Sequence, residues 1–191
     1  MSKEHEAIID DILDKEKGYQ NSRNDKANLI DGVWVGTNRG ITPATYKAAL
    51  GKTPTAADMK ALTTKQAREI YQTEFIDPVV RNIKPTGDLL KQIVDIHVHS
   101  GWGNMVSILQ RASGAKVDGR SGPGLKAAMT KNAAGLENRL VNTRLEDFER
   151  QVREKPEKQE FLQGWRNRAE SFRTAPIAAP TPPPQVLVNG Q

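Results

Sequence analysis

Apolar residues in this 191-residue chain recur at three- and four-residue intervals along most of its length, and a β-prone run occurs at one place, Val33-Trp34-Val35. That pattern limits the fold to a mainly helical one with a small hairpin, because residues at those intervals share a helix face whereas strand residues alternate. The first helix is expected from about Lys3 to Lys17, with Ile8, Ile9, Ile12 and Leu13 on one face, Asp10, Asp11 and Asp14 opposite, and Gly18 as its stop. Asparagine, aspartate and glycine then punctuate residues 18–42, which reads as an irregular hairpin with a long loop. Thr42-Pro43 is a helix start, with threonine as cap and proline in the first turn, and that helix stops at Gly51. Thr63 with Gln66 forms a capping-box pattern opening a helix to about Ile76, and Asp77-Pro78 marks a break or kink.

In the second half, Leu89, Leu90, Ile93, Val94 and His97 have helical spacing over Asp88 to Ser100, and a further short helix is expected over Asn104 to Ala112. Gly122-Pro123 opens another short helix, and two longer ones follow over Leu136 to Glu154 and Glu157 to Phe172. Prolines at 176, 180 and 182–184 make the end of the chain a tail outside the core. The organisation read from this is a first region over 1–87, a helical region over 88–173 and a tail over 174–191.

Composition removes several function classes. The chain has no cysteine, so disulfides, thiolate metal sites and cysteine nucleophiles are excluded. No apolar window is long enough for a transmembrane helix, and the acidic start Met-Ser-Lys-Glu-His-Glu lacks the basic, apolar pattern of a signal peptide. Stable membrane insertion is therefore not expected, and the protein is expected to accumulate in the cytoplasm. A formal net charge of +5 favours a polyanionic partner. The Arg and Lys residues of 139–173 are interleaved with Glu and Asp, which favours solvated helices over a nucleic-acid face.

Two carboxylates stand out. Glu16 follows Ile12 and Leu13 by four and three residues, which puts it on their apolar face at the helix end, where desolvation and the helix dipole both disfavour a negative charge. Asp25 follows in a polar loop. Two carboxyl groups in unlike surroundings are what acid-catalysed glycoside cleavage uses. A competing pattern is Asp95-Ile96-His97-Val98-His99: on a strand, Asp95, His97 and His99 would converge on a metal, but residues two apart on a helix do not.

Several segments taken together resemble glycoside hydrolase family 108, which contains phage and bacterial N-acetylmuramidases. Glu16-Lys17-Gly18-Tyr19 resembles its Glu-Gly-Gly-Tyr signature, with Lys17 in place of the first glycine. Asp25 falls at the family's aspartate, although the glycine pair after it is missing and extra residues precede Thr37. Thr37-Asn38-Arg39-Gly40-Ile41-Thr42 resembles its Thr-Asn-x-Gly-Ile-Thr motif, and Ile70-Tyr71 and Asp77-Pro78-Val79 fit its later pattern. Val98-His99-Ser100-Gly101 stands where the family often has Val-Asn-Ser-Gly, and Gly164-Trp165 with Arg168 resembles the closing Gly-Trp-x-x-Arg helix of the peptidoglycan-binding region that usually follows.

The resemblance implies a mainly α, lysozyme-like α+β fold, with a small hairpin lobe and a helical lobe packed as one compact unit. It implies a phage endolysin that cuts the β-1,4 bond between N-acetylmuramic acid and N-acetylglucosamine. Glu16 would be the acid, Asp25 and Thr37 would order water or stabilise the transition state, and Tyr19, Trp34, Asn38 and His99 would contact substrate. Trp102 and Trp165 are read as core residues of the helical lobe. No metal or cofactor is expected, since acid catalysis on an acetal needs only carboxyl groups and water. The expected protein is a monomer that acts on peptidoglycan glycan strands, binds no nucleic acid and reaches the wall through a holin-type partner. The alternatives are a non-catalytic wall-binding protein of the same fold and a metal-dependent hydrolase using Asp95, His97 and His99.

Overall fold

The structure is a computed structural model that describes residues 1–16 and 18–174; Lys17 and, but for Thr174, the proline-rich tail expected over 174–191 lie outside the described residues. Helix α1 (Lys3–Lys15) begins at Ser2, whose hydroxyl accepts from the His5 N–H, and buries Ile8, Ile9 and Ile12. It stops before the expected Lys17. Glu16 is already extended (φ −90°, ψ 128°), while its N–H still donates to the Ile12 and Leu13 carbonyls. Glu16 is thus the helix cap and not a residue of the last turn.

The hairpin is shorter and tighter than its sequence implied. Strands β1 (Leu29–Ile30) and β2 (Val33–Trp34) pair antiparallel, with Leu29 opposite Trp34 and Ile30 opposite Val33. Asp31 and Gly32 turn the chain, both at positive φ (48° and 80°), as the tight turn that matches strand twist requires. The irregularity lies before the hairpin, where Gln20 and Asn28 exchange side-chain hydrogen bonds of 3.0 and 2.9 Å. Gln20 also exchanges two backbone hydrogen bonds with Thr37 (2.9 and 2.8 Å), tying the loop to the strand beyond the turn.

Helix α2 (Pro43–Leu50) is capped by Thr42 and ends at Gly51 in the left-handed region, as read. Helix α3 (Ala56–Ala61) carries a Thr55–Asp58 capping box that the sequence reading passed over, and α4 (Thr64–Ile70) carries the expected Thr63–Gln66 box. Of the break or kink expected at Asp77-Pro78, no break occurs. The chain widens into a π-helical turn over Tyr71–Ile76 and continues as α5 (Asp77–Asn82), where Pro78 sits in the first turn and has no helical N–H to lose.

Helix α6 (Gly87–Ser113) kinks at Gly101 (φ 75°, ψ 166°), matching the two helices read from sequence. Helices α7 (Pro123–Lys131), α8 (Leu136–Glu154) and α9 (Gln159–Glu170) follow, with a 3-10 turn at Pro156–Lys158 before the last. One hydrophobic core runs from Ile8 of α1 through Ile41, Tyr71 and Ile93 to Leu140 of α8, crossing residue 87 without interruption. A smaller cluster of Phe148, Leu162 and Ala169 joins α8 to α9. The fold is mainly α, lysozyme-like α+β and compact, because the hairpin lobe and the helical lobe bury one core between them.

Candidate active site

Glu16 leaves α1 beside the glycine loop that follows the hairpin. Its side chain is 23% exposed, and its Oε1 lies 3.5 Å from Nη1 of Arg168 on α9. Arg168 also donates through Nε to Asp95 Oδ1 at 2.8 Å, while Arg144, fully buried on α8, donates to Asp95 Oδ2 at 2.8 Å. One carboxylate in α6 therefore holds two guanidinium groups, and one of those reaches Glu16. Burial works against the Arg168 charge, but Asp95 and then Glu16 outweigh it and raise its pKa. Burial lowers the pKa of Arg144, with Asp95 opposing.

The other side of Glu16 is closed by backbone. A Cβ built on Gly40 would lie 2.8 and 2.9 Å from Glu16 Cγ and Cδ, and closer still to the Tyr71 hydroxyl. Tyr71 donates that hydroxyl to the Arg39 carbonyl at 2.9 Å. Burial, and then the neighbouring Glu16 carboxylate, push the Tyr71 phenol far above its ordinary value, so it stays a donor. Tyr71 opens the π-helical turn, an irregularity frequent at functional sites because it redirects one side chain from the helix ladder.

Arg168→Met removes the link between Glu16 and Asp95 and leaves Asp95 with one partner. Breaking a buried, hydrogen-bonded pair is costly, and Arg168 is only partly exposed, so a loss of about 2–3 kcal/mol in unfolding free energy is expected. Arg168→Lys should recover only part of it, because an ammonium cannot span both carboxylates as the planar fork does. Urea denaturation of the three proteins checks this; equal midpoints would show that the network carries no stability.

Asp25 is exposed and caps the 3-10 turn Lys26–Asn28, with Oδ1 accepting from Ala27 N–H at 3.0 Å and Oδ2 from Gln20 Nε2 at 3.4 Å. The Thr37 hydroxyl is buried and has no hydrogen-bond partner among the described residues. Asn38 is buried and its amide donates to the Met59 carbonyl at 2.8 Å, so this side chain clamps the loop onto α3. Tyr19 donates to the Val35 carbonyl at 3.1 Å, and its ring lies beneath Gly36 with the Lys60 ammonium 5.2 Å from its centroid. Trp34 is half-buried on β2.

A groove of about 450 Å³ opens between this loop and the helical lobe, lined among others by Asp25, His99, Asn104, Lys158, Phe161 and Trp165. The structure thus brings together Asp25 and His99 from the sequence-derived set, while Glu16, Thr37, Tyr19, Trp34 and Asn38 lie outside this lining. Trp165, read as core, is half-buried with one side on the Phe148 cluster and the other on the groove. His99 meets Phe148 and Trp165 edge-on, with centroids at 5.4 and 5.7 Å. Burial, then the Arg144 and Arg168 charges, push its pKa down to about 4.

That shift has a sign. The folded value lies below that of an unfolded histidine, so the unfolded chain binds more protons between the two, and stability present above about pH 6.5 is lost as the pH falls toward 4. His97, also lowered by burial, acts in the same direction. The contribution of half-buried His99 is expected to be about 1–3 kcal/mol. Melting curves of His99→Gln should be flatter than the parent's over that window; parallel curves would show that His99 is not the group titrating.

The metal alternative fails on contacts. Both Asp95 oxygens are taken by arginines, His97 Nδ1 lies 3.1 Å from the Phe75 carbonyl, and His99 faces the groove, so the helix sends the three side chains to three environments. No cluster of metal-ligating residues occurs among the described residues. The arginines of α8 and α9 are largely paired: Arg144 and Arg168 inward, Arg150 with Asp147 and Glu154, and Arg166 with Glu149. Sequence reasoning missed the roles of Arg168, Tyr71 and Gly40, although each sits in a quoted motif: Gly-Trp-x-x-Arg, Ile-Tyr and Thr-Asn-x-Gly.

The family model described as Glycosyl hydrolase 108 matches residues 9–101, the segment that carries Glu16, Asp25, Thr37, Gly40, Tyr71, Asp95 and His99. No curated protein matches the chain. Among solved structures, that of Brucella abortus SagA is similar at 27% identity and a TM-score of 0.72, covering 88% of this chain and 90% of SagA. That likeness covers more of the chain than the family match does. Residues 9–101, just under half of the chain, match glycosyl hydrolase family 108, and together with the likeness to SagA this supports a glycoside hydrolase.

Proposed function

We propose that this protein is an N-acetylmuramidase of the endolysin type, hydrolysing the β-1,4 bond between N-acetylmuramic acid and N-acetylglucosamine in peptidoglycan. The observation that carries the reading is Glu16: a half-buried carboxyl at a helix end, held by Arg168 and walled by Gly40 within the family-matched segment. In its protonated form Glu16 delivers its proton to the bridging oxygen as the bond from that oxygen to the muramic C1 breaks. A water then adds at C1 and releases a proton, which restores the acid. Thr37 has an unused buried hydroxyl suited to holding such a water, and Asp25 supplies a carboxylate on the groove side. Tyr19 and Trp34 support the hairpin that carries these groups, and Asn38 fixes it to α3.

No helix of the described residues is long and apolar enough to cross a membrane. Host lysis on this reading requires a separate holin-type partner to give access to the wall from the cytoplasm. The test is mass spectrometry of purified sacculi digested with the full chain. Reducing-end muramic acid is the expected product. Reducing N-acetylglucosamine would assign a different glycosidic bond, and binding without soluble fragments would make the protein a non-catalytic wall binder.

A further inference from the structure

The groove facing Asp25 has features that bond cleavage by Glu16 does not use. Phe161 and Trp165 stand one helical turn apart on α9 with rings stacked at 5.9 Å and 22° between planes, and Phe161 is 51% exposed. A large aromatic left half open on a helix that could have turned it inward is a platform for a flat apolar surface, such as the C–H face of a sugar ring. Lys158, from the 3-10 turn before α9, is the one cation among the described residues that lines the groove. Its ammonium lies 5.8 Å from the Trp165 ring centroid and donates to Gln151 Oε1 at 2.8 Å. That hydrogen bond uses one of the three donors of the ammonium.

Asp25 and Asn104 line the same groove. A ligand in this groove therefore has a carboxylate, an amide, an aromatic face and a cation in its lining. Sugar hydroxyls can donate to Asp25, and an anionic substituent suits Lys158. Trp165 lies three residues before Arg168 on the same helix, so the element that forms the platform also holds the Glu16 carboxyl.

We propose that Lys158 and the Phe161–Trp165 platform form a subsite that reads a carboxylate carried by the muramic residue, making the enzyme selective for anionic over neutral β-1,4 glycans. This rests on the muramidase reading and specifies its substrate. Two groups offer that chemistry: the lactyl carboxyl of a muramic acid without peptide, and the carboxylates of the stem peptide.

The experiment uses soluble glycan strands in two forms, peptide-bearing and amidase-stripped, each with and without conversion of its carboxyls to amides. KM is measured for the full chain and for Lys158→Gln and Lys158→Arg, with melting curves confirming that the variants fold. For the parent, amidation of at least one strand form should raise KM about tenfold, the factor that a lost charge-assisted hydrogen bond carries. Lys158→Gln should already show that higher KM and should not respond to amidation, while Lys158→Arg stays near the parent. An effect on stripped strands assigns the lactyl carboxyl, and an effect on peptide-bearing strands assigns the stem. Equal responses to amidation in the parent and Lys158→Gln, or none in either, would overturn the proposal. If the parent releases no reducing muramic acid from any strand, the muramidase reading itself falls and the subsite with it.

Discussion

Glu16→Gln is expected to lower glycan cleavage at least about a hundredfold while leaving a folded protein, because positioned proton transfer contributes on the order of 10²–10⁴. Glutamine preserves the size of the side chain and an oxygen that can still accept from Arg168 at the 3.5 Å contact, but it has no proton to give. The stability change should be small, about 1 kcal/mol or less, since Arg168 keeps its 2.8 Å hydrogen bond to Asp95 and Glu16 is part-exposed. The measurements are reducing-end release from sacculi and thermal unfolding on the same preparation. A folded Glu16→Gln protein that cleaves within tenfold of the parent would show that another group delivers the proton.

Gly40→Ala is expected to have an effect of similar size by a different route. Gly40 sits at φ +74°, where a side chain costs about 1–2 kcal/mol, and its Cβ would press on Glu16 and on Tyr71. Tyr71 is buried and bonded to the Arg39 carbonyl beside Gly40, so it cannot easily retreat. The flexible member is Glu16, which should be displaced from Arg168 and from the site. A loss of about 2–4 kcal/mol in unfolding free energy is expected, together with a loss of cleavage of about a hundredfold, since ångström-scale misplacement of a catalytic group has that consequence. Gly51→Ala separates the two causes. Gly51 has a similar φ of +66° but nothing within 4 Å of an added Cβ, so it should lose only the conformational part and keep its activity. If Gly40→Ala behaves like Gly51→Ala, the loop does not position Glu16.

The parts of this protein legible in its sequence are those decided within a few residues. The capping pairs Thr42-Pro43 and Thr63–Gln66 appear where they were read, because a side chain bonding an N–H three residues on needs no help from elsewhere. The buried faces of α1 and α6 follow from spacing alone, and so does the kink at Gly101 between two helical stretches. Elements whose form depends on neighbours were misread. The hairpin became a tight Asp31-Gly32 turn, and of the break or kink read at Asp77-Pro78 the form taken is a widened turn that lets the helix continue, because proline in a first turn costs little there.

The site divides the same way. Glu16 could be singled out from its place after an apolar face, and Asp25 and Thr37 from the motif around them. Nothing local could say that Glu16 would meet Arg168, more than 150 residues later, or that Asp95 would hold two guanidiniums instead of joining two histidines. Those partners are chosen by the packing of α6, α8 and α9, in which burying Arg144 requires a carboxylate beside it and the shared carboxylate then aims Arg168 at Glu16. Sequence by itself determined which segments are helical, where they are capped and which carboxyl stands at the end of the first. Only the tertiary structure decided what surrounds that carboxyl, because a low-dielectric charge network is a property of the assembled core and of no segment alone.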